Sequence, residues 1–208
     1  MCELNDIVKK AATSAFVEDY PSACHYYEMA ALKGDMKSVH KLVTYYSKEK
    51  YNLDLEKAIF WLNEYLNRYA NATNRSKYEH QLGAKYKEYY FSTHSEEARG
   101  KAVFWLNQAF EHRTEQTKTK IILSIGEQLY GLGDYENAYV ILYSILPLCM
   151  EKSYHRCMTI LGKCYLFGRG VKKNPGKAFE LLQIAAKSNS RQAKSLLSKF
   201  FKVGDFDE

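Results

Sequence analysis

Polar and apolar positions repeat along this chain in one recognisable phrase. It is clearest at Cys157, Leu161, Gly162 and Tyr165. Offsets of four, one and three residues keep these side chains near one face of a helix. Thirty-six residues later stand Ala193, Leu197, Ser198 and Phe201, and thirty-six residues earlier Ile121, Ile125, Gly126 and Leu129. Further upstream come Tyr78, Leu82, Gly83, Tyr86 and then Ser38, Leu42, Val43, Tyr46. A mid-helix glycine costs about 1 kcal/mol against alanine. Its return at Gly83, Gly126 and Gly162 predicts the close approach of a neighbouring helix.

A second phrase alternates with the first: Lys57-Ala58-Ile59-Phe60-Trp61-Leu62, Lys101-Ala102-Val103-Phe104-Trp105-Leu106 and Lys177-Ala178-Phe179-Glu180-Leu181-Leu182. Weaker copies begin at Asn137-Ala138 and Ala23-Cys24. The pattern predicts eleven helices. A-type helices fall over 3–18, 36–48, 74–91, 115–131, 152–167 and 190–203, and B-type helices over 20–33, 54–69, 95–111, 134–148 and 174–187. Only Pro21, Pro147 and Pro175 interrupt 208 residues, which favours helices. With no linker in view, the expectation is a single domain over 1–208, with units 3–34, 36–70, 74–112, 115–150, 152–188 and a cap at 190–203. That is an all-α, right-handed solenoid of five helix pairs plus a capping helix, held by packing between neighbours.

These phrases resemble the Sel1-like repeat, a relative of the tetratricopeptide repeat. Residues 157–186 carry most of the family pattern through Leu161, Gly162, Tyr165, Gly168, Gly170, Val171, Lys177, Ala178, Ala185 and Ala186. The other copies are degenerate, and the G-x-G-V loop stands only at 168–171. The resemblance implies a protein-binding scaffold. Some secreted members link paired helices by disulfides, but here the A-helix cysteines find no B-helix partners at regular spacing. Other members have been linked to β-lactam binding. A hydrolase or ligand-binding enzyme is therefore the alternative reading.

Composition narrows the choice. Hydrophobic residues make up 46% of the chain, enough for a core. The net charge of +6 suits an acidic partner, whereas the scattered lysines argue against nucleic acid. No run is long enough to span a membrane and the start MCELNDIVKK has no signal core, so the expected location is the cytoplasm. Cys2, Cys24, Cys149, Cys157 and Cys164 lack metal spacing and read as free thiols. The histidines form no HExxH, and no GxSxG occurs. No cofactor, metal or catalytic set is expected. The Gly168-Arg169-Gly170 segment lacks nucleotide-loop spacing and reads as a turn, with Asn174 capping the next helix.

In the tetratricopeptide fold the A helices line the concave groove. The position five before the repeat leucine holds Lys37, Lys77, Lys120 and Arg156 in four consecutive units, a ladder of cations. The position two before it holds His40 and His80, and the position two after it holds Lys163 in the best-kept unit. These seven residues are the expected partner-binding set, with Tyr45-Tyr46 and Tyr89-Tyr90-Phe91 as candidate aromatic anchors of which at least one member each is expected in the core. The function that follows is non-catalytic: a scaffold that holds a protein partner with an acidic surface in its groove. By family analogy it is a bacterial immunity protein or adaptor.

Overall fold

The computed structural model describes residues 3–48, 51 and 53–201. Twelve helices and no strand occur among them. The chain forms two compact units, Met1–Trp105 and Leu106–Glu208.

The first unit contains α1 (Leu4–Phe16), α2 (Tyr20–Leu32), α3 (Met36–Tyr46), α4 (Leu55–Tyr69) and α5 (Arg75–Thr93). The division between the units falls within α6 (Glu96–Glu111). The helix starts are written in local chemistry. Asp19, Asp35 and Asp54 each accept a hydrogen bond from the backbone N–H three residues on, which satisfies an otherwise unpaired donor. Leu42, Leu62, Leu82, Ala58 and Tyr46 meet in one core. Tyr46 is almost wholly buried, and its hydroxyl donates to Glu28 Oε1 at 2.9 Å.

The second unit contains α7 (Thr119–Leu132), α8 (Tyr135–Ser144), α9 (Leu146–Glu151), α10 (His155–Phe167), α11 (Pro175–Lys187) and α12 (Arg191–Phe200). Asp134, Asn174 and Ser190 are the side-chain caps. Leu142, Met158, Leu161 and Leu182 form its core, and Val171 packs against it. The predicted glycine contacts are present here. A Cβ placed on Gly126 would stand 2.6 Å from Leu142 Cγ, and one on Gly162 would stand 2.8 Å from Leu182 Cγ. A side chain at that position would have to displace the leucine that faces it from the paired helix.

The helix expected over 134–148 is broken at Ile145 into α8 and α9. Pro147, in the first turn of α9, has no N–H for the carbonyl of Tyr143, and in one continuous helix its ring would crowd that carbonyl. The helices expected to begin at 115 and 152 start at Thr119 and His155. Ser153, with φ of 54°, lies between α9 and α10. Cys2 and residues 202–203 of the expected cap lie outside the described residues.

The lysine that opens each B-helix phrase has a recurrent place. Lys57 Nζ lies 5.0 Å from the centre of the Tyr46 ring, Lys101 Nζ 5.7 Å from Tyr86, and Lys177 Nζ 5.5 Å from Tyr165. Each of these tyrosines stands four residues after its repeat leucine. The lysine of one phrase and the aromatic of the other are therefore two halves of one cation–π contact within a helix pair.

Candidate interaction cleft

In the first unit the structure gathers His40 and Lys77 around an aromatic pair. The rings of Tyr65 and Tyr78 are 4.0 Å apart, and His40 lies 4.9 Å from Tyr65. His40 Nε2 is 2.9 Å from Tyr78 Oη, and Lys77 Nζ sits 5.2 Å from the Tyr78 ring. Burial and the Lys77 charge both push the His40 pKa down. Lys37 is exposed in the first turn of α3. His80 is half-buried, and burial pushes its pKa down to about 4, so it is neutral at ordinary pH. Tyr45 and Tyr46 are both buried and belong to the core rather than to a binding face.

In the second unit α7, α10 and the start of α12 enclose a cleft of about 500 Å³. Arg156 and Lys163 from α10 line it, with Glu127 and Tyr130 from α7 and Arg191 from α12. Arg156 Nη2 meets Glu127 Oε2 at 2.9 Å. The arginine side chain remains 70% exposed, whereas the glutamate is 14% exposed. Thr159 lies in the wall with its hydroxyl buried, 3.0 Å from Ser190 Oγ. Lys163 sits 5.9 Å from the Tyr130 ring. Desolvation, then the nearby Arg169 charge, lower its pKa.

Lys120 is not in this cleft. It lines a second depression of about 480 Å³ with Lys118, Lys152 and Tyr154. Of the predicted set, the second unit thus brings together Arg156 and Lys163 and leaves Lys120 apart.

The glycine-rich loop after α10 does more than turn. Gly170, with φ of 70°, lies against the carbonyl of Tyr135 so closely that a Cβ there would overlap it. Arg169 lies beside it, among rings of the preceding helix pair and of α10 itself. Its Nη1 donates to Tyr130 Oη at 2.9 Å, and its guanidinium lies 4.9 Å from the Tyr135 ring and 5.2 Å from Phe167. Neither Glu127 nor Arg169 was singled out in the sequence. Glu127 had a signal, because it occupies the same register position as Lys163 one repeat earlier. Arg169 had none, since its partners lie 34 and 39 residues upstream.

Cys157 Sγ of α10 donates to the carbonyl of Leu142 at 3.5 Å. Cys24, Cys149, Cys157 and Cys164 are buried free thiols. No group of three metal-binding side chains occurs among the described residues, nor any helix long and apolar enough to cross a membrane.

Comparison with known proteins agrees with this geometry. The Sel1 repeat family model matches residues 16–35 and 155–190, the latter spanning α10, its loop and α11. No curated protein matches the chain. Among solved structures, the MamA protein is similar with a TM-score of 0.63 at 14% identity, over 96% of each chain. A Sel1 repeat protein from Oxalobacter formigenes has a TM-score of 0.53 at 20% identity, over 89% of this chain and 70% of that one. The c5321 protein, a protective antigen of uropathogenic Escherichia coli, has a TM-score of 0.52 at 22% identity, over 84% of this chain and 37% of that one. At these identities the likeness is one of fold. The chain is thus similar to the Sel1 repeat family over residues 16–35 and 155–190, and its helical fold is like that of these solved structures.

Proposed function

We propose that this protein is a non-catalytic scaffold that binds a protein partner with an acidic surface through its A-type helices. Repeat folds of this kind generally mediate protein–protein interaction. The observation that carries the reading is the cleft of the second unit. Three cations, Arg156, Lys163 and Arg191, border it against one carboxylate, Glu127, which is already committed to Arg156. A surplus of positive charge in a concave site favours a carboxylate-bearing partner. Lys37 and Lys77 on α3 and α5, and Lys120 on α7, are further exposed cations on A helices. The finer role we infer is that of an adaptor or immunity protein acting in the cytoplasm.

The test is capture of a partner from the native host by wild-type protein and by a Lys77→Glu, Lys120→Glu, Arg156→Glu variant of equal helicity. A partner held by the wild type and lost from the variant supports the reading. Equal capture by both, with the same salt dependence, defeats it.

A further inference from the structure

The cleft between α7, α10 and α12 has an internal spacing that specifies more than charge. Arg156 and Lys163 lie seven residues apart on α10, so about 10.5 Å separates them along the helix axis. Between them on the same side of the helix stands Ile160, four residues from one and three from the other. Tyr130 lines the cleft beside Lys163. The site is thus two cationic ends with an apolar floor between. The ends differ in their surroundings. Glu127 takes up part of Arg156 and leaves most of that side chain accessible. Lys163 has no carboxylate partner among the described residues and has the Arg169 cation for a neighbour.

A polyproline-type segment repeats every three residues with a rise of about 3.1 Å each, so side chains three apart lie on one edge about 9.3 Å from each other. That is close to the axial separation of the two residues along α10. A fully extended strand returns to one face at about 6.6 Å or 13 Å, and fits less well.

We propose that this cleft binds an extended partner segment bearing two carboxylates three residues apart, one on Arg156 and one on Lys163, with the intervening residues resting on Ile160 and Tyr130. The proposal deepens the scaffold reading above and rests on it. Its occupant is a protein segment of the pattern acidic, apolar, apolar, acidic. Arg191 adds to the attraction without fixing the spacing.

Fluorescence anisotropy at low salt tests it, with the full chain and labelled peptides containing Glu-Pro-Pro-Glu, Glu-Pro-Glu, Glu-Pro-Pro-Pro-Pro-Glu and Glu-Pro-Pro-Gln. Glu-Pro-Pro-Glu should bind about tenfold tighter than the single-carboxylate peptide, because its second contact is made within an already tethered ligand. Lys163→Gln should erase that advantage and leave the single-carboxylate peptide nearly unaffected. Arg156→Gln should do the same, with thermal melting as a control because it leaves Glu127 without its arginine. Equal binding of all three two-glutamate spacings, or of peptides with one and two carboxylates, overturns the two-point site. That result leaves the scaffold reading standing, since partner capture by wild-type and charge-reversed protein decides the latter separately.

Discussion

Gly162 lies directly beneath Leu182: a methyl group added to the glycine would stand 2.8 Å from the leucine Cγ. Gly162→Ala would gain about 1 kcal/mol of helix propensity. It would also overpack the junction of α10 and α11, a change that costs about 1–3 kcal/mol. The variant should therefore be less stable in urea unfolding. Leu182→Ala alone should cost about 2–5 kcal/mol, because the leucine is fully buried. Combining the two should cost less than their sum. Strict additivity would show that the helices do not meet at this point.

Arg169 joins its own loop to the preceding helix pair through Tyr130 Oη and the Tyr135 ring. Arg169→Ala should destabilise the protein by about 1 kcal/mol, the combined scale of an exposed cation–π contact and a hydrogen bond. It should also raise the pKa of Lys163, since Arg169 is one of the causes that depress it. NMR titration of the lysine Nζ reads the second effect. A Lys163 that titrates unchanged in the variant would separate the two side chains.

His80 titrates at about 4 in the folded chain because burial disfavours its charged form. An unfolded histidine titrates near 6.5. Between those values the unfolded state binds the proton and the folded state does not. Stability should therefore be unaffected by His80 above about pH 6.5 and should fall as pH drops toward 4. The depression approaches about 3 kcal/mol at the lower end, from 1.36 kcal/mol per pKa unit. His80→Gln should flatten this part of the stability–pH curve. An NMR midpoint near 6.5 for His80 in the folded protein would contradict the account.

The four described cysteines are buried, and burial pushes the Cys164 thiol up to about 11. A Cys2→Ser variant should react with Ellman's reagent only as fast as it opens. In denaturant the four thiols should react at once. Fast labelling of the folded variant would place at least one thiol at the surface.

The helix pairs were legible in the sequence because two short-range signals agree: helical spacing of apolar residues and Asp or Asn at the starts. Lys177 and Tyr165 were each visible as repeat positions, but their contact appears only when two helices fold together. The break at Ile145 was missed although Pro147 is plain in the sequence, because the apolar pattern runs on through Leu146 and Leu148. Register alone marked Arg156 and Lys163, which depend on position within one helix. It could not show the burial of His80, which comes from packing in the fold, nor find Arg169, whose partners lie in the previous repeat.

The contact of Gly170 with the Tyr135 carbonyl bears on how this protein could be rebuilt. Engineers treat repeats as interchangeable modules cut at helix-pair boundaries. Here the loop of one module is shaped to the backbone of the module before it, and tolerates no side chain at that point. A graft of residues 155–190 onto another array would carry its loop without its seat. The portable unit is longer, running from α7 through α11, and a shuffled array should keep those two helix pairs together.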